Sequence, residues 1–189
     1  MDKNRRLFLK GLTFFSLALP LKIYPFPKEN KFVSFKHGVA SGDPTQTNII
    51  LWTKLSDVEE NSVLVTWQIS LNKNFNSLIT QGKTKANSLK DFTVKVDARI
   101  PKKYNGLEVY YRFIVGNNIS DTGTTSTLPI SNPEKFNIAF CSCSNYPAGH
   151  FNAYKEIALN KKINLVLHLG DYLYEYSSDG YASENAQSM

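Results

Sequence analysis

Apolar residues recur along most of this chain in short alternating runs. The runs lie at 33–37, 48–53, 62–70, 77–84, 92–98, 108–116 and 122–128. Between them stand turn-rich pieces such as SGDPTQT, DVEEN, LNKNFN, KKYNG and GNNISDTG. Alternation with a period of two marks half-buried strands. Seven such strands, about ten residues apart, predict an antiparallel β-sandwich of the Fn3/Ig-like kind over 33–130. Trp52 and Trp67 are its candidate core aromatics, and Tyr110 or Tyr111 falls where a tyrosine corner would stand.

The period changes after PISNPEK (129–135), a Pro-containing linker. Residues 136–141 read as a strand. Residues 149–161 read as a helix with Phe151, Tyr154, Ile157 and Ala158 along one face, and 163–169 as a second apolar strand. Strand, helix and strand in this order predict a β-α-β unit with parallel strands and a right-handed crossover. A unit of about 50 residues cannot cover both faces of a parallel sheet. Residues 135–189 are therefore expected to be the incomplete start of an α/β domain, and the chain the N-terminal part of a longer protein.

Charge sharpens the picture at one end. Of the 189 residues, 22 are Lys or Arg and 16 are Asp or Glu, a net charge of +6. Residues 1–22 hold Lys3, Arg5, Arg6, Lys10 and Lys22 against Asp2, so the body is close to +2. No basic stripe interleaved with aromatics appears there, which argues against nucleic-acid recognition. The start, NRRLFLKGLTFFSLALPL, joins paired arginines to an apolar stretch at 11–21. That stretch is shorter than the roughly 20 residues of a membrane span. It fits a twin-arginine signal over 1–27, with Asn4 where the consensus has Ser or Thr. The expected partner is the Tat translocase and the destination is periplasmic or extracellular. A Sec signal or an uncleaved anchor is the alternative.

The candidate chemistry sits at two strand ends. Cys141 and Cys143 are the two cysteines, in AFCSCSNY, and Asp171 follows an apolar run in HLGDYLYEY. The carboxyl ends of parallel strands lie on one edge, which puts Cys143 beside Asp171. Thiolate and carboxylate are both metal ligands, and Tyr172, Tyr174 and Tyr176 alternate close by. Spacing alone also allows an Asp turn with packed aromatics, or an uncommon Cys141–Cys143 bridge.

The ordered succession FKHGVASGDP, ILWTKL, FCSCSNYPAGHFNAYKEIA and HLGDYLYEY resembles the alkaline phosphatase D (PhoD-like) family across essentially the whole chain. The resemblance implies an Fn3/Ig-like domain followed by a calcineurin-like metallophosphoesterase domain, acting on phosphate esters. It further implies Cys143 and Tyr174 as ligands of ferric iron, with Asp171 bridging that iron to calcium. Ser144, Asn145, Tyr172 and His150 are the implied pocket residues, and Cys141 belongs to the core. His37 and His168 are expected to be structural histidines. The family's remaining ligands have no counterpart before Met189, so this chain alone is expected to hydrolyse little phosphate ester. The full protein is expected to be a monomer. A secreted binding module carrying an inert catalytic remnant is the rival reading, and a C-x-C redox protein is a second.

Overall fold

The computed structural model describes residues 33–148 and 150–177, so Arg5, Arg6 and the rest of the signal segment lie outside the described residues. The chain divides into two compact units between Leu128 and Pro129. No helix among the described residues is long and apolar enough to cross a membrane.

The first unit is built from two antiparallel sheets. Strand β1 (Val39–Gly42) pairs with β2 (Asn48–Lys54), which pairs with β5 (Thr93–Arg99). The second sheet runs β4 (Leu78–Asn87), β3 (Ser62–Ser70), β6 (Val109–Val115), with β7 (Asn118–Ile119) and β8 (Gly123–Thr125) both along the free edge of β6. Alternation decides what is buried. Ile49, Leu51, Thr53 and Leu55 point inward from β2 and its exit, and Val63, Val65 and Ile69 from β3. Val94, Val96 and Ala98 from β5 join Val109, Tyr111, Phe113 and Val115 from β6 in one apolar cluster. Two of the buried hydroxyls are paired: Thr53 Oγ1 donates to the Gly38 carbonyl at 2.8 Å, and Ser70 Oγ to that of Ser77 at 2.9 Å. An unpaired group there would be costly.

Several elements depart from the alternating pattern. The run at 33–37 makes only an isolated bridge, Ser34 to Ser56. Gly38 turns the chain in a left-handed conformation (φ 66°), and extended pairing starts after it. Ser41 and Gly42, in a turn-rich piece, are thus strand residues. The short β7 within GNNISDTG exists because Gly116 (φ 55°) and Asn117 close a two-residue hairpin off β6. Trp52 is no core residue: it shares the outward face of β2 with Ile50 and Lys54. Trp67 packs against the core, half-buried, over Gly82. Tyr111 is the buried tyrosine and Tyr110 faces out, donating to Glu108. Expected to be packed, His37 is exposed in a turn.

The second unit holds β9 (Ile138–Cys141), helix α1 (Asn152–Leu159) and β10 (Leu165–His168). The two strands are parallel, with Ile138 opposite Leu165 and Cys141 opposite His168. Asn137 and Asn164 clamp their starts: the Asn137 N–H donates to Asn164 Oδ1 and the Asn164 N–H to the Asn137 carbonyl, both at 2.9 Å. Phe151, Tyr154 and Ile157 are the half-buried residues at the helix, whereas Ala158 is exposed. On the strands Ile138 is 50% exposed, Phe140 72% and Leu169 66%. In parallel pairing, opposite residues share a face. Ile138, Phe140, Leu165 and Leu167 therefore form one apolar face, and Ala139, Cys141, Val166 and His168 the other.

Glycine opposite a large ring is a requirement of the second sheet. A Cβ at Gly123 would lie 2.2 Å from Cζ of Tyr111, which is almost fully buried. Gly123→Ala is expected to destabilise the first unit by about 1–3 kcal/mol through overpacking. Gly42→Ala, where a Cβ meets nothing within 4 Å, should change stability by no more than about 0.5 kcal/mol. Urea denaturation of both variants checks the contrast.

Candidate metal centre

The parallel register brings two loops together. Because Cys141 lies opposite His168, the chain leaves both strands at one level. Backbone bonds continue the pairing: Leu169 N–H to the Cys141 carbonyl at 2.8 Å, Cys143 N–H to Gly170 at 3.4 Å, and Ser144 N–H to Asp171 at 3.3 Å. Tyr174 N–H then reaches the Ser144 carbonyl at 2.7 Å, and Tyr146 N–H that of Tyr174 at 3.0 Å. Asn145 and Tyr174 form a parallel bridge beyond these loops.

Three side chains converge there. Cys143 Sγ lies 3.7 Å from Asp171 Oδ2, and the Tyr174 hydroxyl 3.8 Å from Cys143 Sγ. Cys143 and Asp171 are exposed and Tyr174 is half-buried. Both Cys143 (φ 59°) and Asp171 (φ 44°) adopt left-handed backbone, as does Gly170 between strand and carboxylate (φ 110°). For a residue with a Cβ such a conformation costs on the order of 1–3 kcal/mol and persists where the surroundings enforce it. The Asp171 carboxylate, and next the Cys143 thiol, hold the Tyr174 proton and raise its phenol well above the ordinary range.

The donor set fits a single cation. An ion bonded to sulfur at about 2.3 Å and to oxygen at about 2.0–2.2 Å keeps such donors roughly 3.5–3.8 Å apart at open angles. The separations of 3.7 and 3.8 Å match this. Among the described residues no three His, Cys, Asp or Glu side chains cluster; here the third donor is a tyrosine.

The remaining candidates surround the three. Ser144 and Asn145 are half-buried, and His150 is exposed. Tyr172 is 76% exposed, its ring 4.9 Å from that of His168, and Tyr176 stacks on Tyr174 at 5.6 Å. Both cysteines are free thiols; Cys141 is only half-buried, not a core residue, with Sγ 3.9 Å from the Leu167 carbonyl. The pattern along the chain gave no role to a side-chain network behind the site: Ser144 Oγ bonds the Tyr154 hydroxyl, which lies 3.1 Å from His168 Nε2. Tyr154 shows in sequence as one apolar-face position of a helix, a signal of packing alone.

Residues 23–129 match the model of the PhoD-like phosphatase N-terminal domain, and residues 138–189 that of the PhoD-like phosphatase itself. Alkaline phosphatase D of Bacillus subtilis (strain 168) is 36% identical over 187 residues, an alignment spanning 92% of this chain and 31% of the relative. A solved structure of PhoD shares 34% identity at a TM-score of 0.71, over 81% of this chain and 30% of the other. The chain thus spans just under a third of the length of these two relatives. A glycosyl hydrolase family 2 member from Bacteroides cellulosilyticus aligns over 78% of this chain and 26% of its own at 14% identity. Its TM-score of 0.32 is too low to bear on the fold or the site.

The electrostatics of Tyr174 can be tested without metal. Asp171→Asn removes the larger cause of its raised pKa, and Cys143→Ala the smaller. Both are expected to bring the phenol down toward its ordinary value near 10, with the greater fall in Asp171→Asn. Phenolate absorbance in a pH titration, taken as a difference against Tyr174→Phe, reads the shift.

Proposed function

The chain belongs to the PhoD-like phosphatase family, and on that premise we propose that it carries the first part of an exported, metal-dependent phosphoesterase. The observation that carries this reading is the approach of Asp171 and Tyr174 to Cys143 Sγ, at 3.7 and 3.8 Å, across two loops. Residues 33–130 are read as an Fn3/Ig-like sandwich, which the two antiparallel sheets and their shared core support. Residues 135–189 are read as the opening β-α-β unit of a calcineurin-like metallophosphoesterase domain. The parallel strand pair with a helix between its members supports it. Residues 1–27 are assigned as a twin-arginine signal on Arg5 and Arg6, directing the protein through the Tat translocase to a periplasmic or extracellular site.

Cys143 and Tyr174 would hold ferric iron, and Asp171 would bridge it to calcium. When bound, these ions supply positive charge that acidifies a water and offsets negative charge on the phosphate oxygens. The residues themselves set the conditions. Thiol and phenol must each lose a proton to become ligands, so loading releases protons and strengthens as pH rises. The phenol, already hard to ionise beside Asp171 and Cys143, needs a strongly acidic cation to give up its proton. Asp171 is exposed at the open end of the strand pair, on the side from which a phosphomonoester or phosphodiester could approach. Tyr172 and His150, both exposed, and Ser144 and Asn145 would line that approach.

Three donors are too few for two ions, since calcium alone takes about six to eight oxygens. Residues 1–189 by themselves are therefore expected to hydrolyse little or no phosphate ester, which a p-nitrophenyl phosphate assay reads directly. In the metal-loaded full-length protein, Tyr174→Phe should abolish the visible phenolate-to-iron band. Phosphatase activity should fall at least about a hundredfold in Tyr174→Phe and Cys143→Ala, beyond the loss usual for an outer partner. An unchanged spectrum and rate in both variants would overturn the ligand assignment.

A further inference from the structure

We propose that Tyr154 and His168 are positioning residues: together with Ser144 they brace the two ligand-bearing loops to each other through helix α1. The inference rests on the metal reading above. Gly170 N–H donates to His168 Nδ1 at 3.3 Å. An accepting Nδ1 leaves the imidazole proton on Nε2, which faces the Tyr154 hydroxyl oxygen at 3.1 Å. The Tyr154 O–H is then free to donate to Ser144 Oγ, with which it makes a close contact. One line of three hydrogen bonds therefore joins Gly170, the residue before Asp171, to Ser144, the residue after Cys143.

Both ends of that line abut left-handed residues, at Cys143 and Asp171. The direct backbone bonds between the loops at this level are long, 3.4 Å from Cys143 and 3.3 Å from Ser144. At such lengths they hold less tightly than the 2.7 and 2.8 Å backbone bonds on either side of them, and a second link at this level adds to the hold on the spacing of Sγ and Oδ2. The brace supplies it from behind. Tyr154, His168 and Ser144 are half-buried, while Cys143 and Asp171 are exposed. The Tyr154 and His168 rings are nearly parallel at 16°, with centroids 6.4 Å apart, and Phe151 backs Tyr154 at 5.9 Å. This arrangement fixes ring direction as well as distance. Partners behind a metal ligand commonly change metal affinity about 10–100-fold when removed.

Tyr154→Phe tests the brace, because it keeps the ring contacts and deletes only the hydroxyl; Ser144→Ala cuts the same line at its other end. Ferric iron is titrated into the full-length protein and its variants, and affinity, the phenolate-to-iron band and the melting temperature are recorded. Each variant should lose about tenfold in iron affinity and shift the band maximum, with little change in melting temperature. The double variant should be no worse than either single one. A wild-type band that neither variant moves, at unchanged affinity, would overturn the brace and leave the metal reading standing. A band and affinity that move only in step with a falling melting temperature would likewise reduce the network to packing. A wild type with no band would overturn the metal reading and the brace with it.

Discussion

Everything at the candidate centre depends on the parallel register of Ile138–Cys141 against Leu165–His168. Both strands end at one level, so the residues just beyond them meet. A one-residue slip would carry one loop about 3.3 Å past the other and reverse the faces of the strand that slipped. The reciprocal bonds of Asn137 and Asn164 guard against this from the far end of the pair. The ladder that continues from Leu169 to Tyr174 extends the register into the loops. Carboxylate and phenol then both come close to the sulfur without any of the three being buried.

The two units hold their shapes by different means. The first relies on burial: Leu51, Val65, Ile69 and Phe113 are fully enclosed, and the inward hydroxyls of Thr53 and Ser70 are hydrogen-bonded. The second leaves Ile138, Phe140, Leu167 and Leu169 exposed on one side of its strand pair, although parallel sheets ordinarily have both faces covered. Its local order comes from hydrogen bonds along the strand ends and from the Ser144–Tyr154–His168 line. Left-handed backbone at Cys143 and Asp171 is consistent with this, since such residues need external restraint to persist.

Legibility in the sequence followed the strength of the local signal. The run at 62–70 coincides with β3, whose first four residues alternate strictly between exposed and buried. The strand expected at 33–37 failed at Gly38, and β7 went unseen because two residues after a tight turn carry no period. Trp52 was misplaced for a different reason. Its aromatic bulk suggested the core, but its parity with Ile50 and Lys54 sends it outward, and parity decides the face of a strand. The nearness of Cys143 and Asp171 was readable, because the order strand, helix, strand puts both at one sheet edge.

The sequence alone determined the family, the run of antiparallel strands and the pairing of a thiol with a carboxylate, because these follow from ordered motifs and local periodicity. Tertiary structure decided the rest. It brought the hydroxyl of Tyr174, the tyrosine that the family resemblance singles out, to within 3.8 Å of Cys143 Sγ. It also turned His168 and Tyr154, which read as ordinary structural residues, into a linked pair behind the site. Neither result is written in spacing along the chain. Each depends on where two loops and a helix bring atoms that lie 10 to 31 residues apart in sequence.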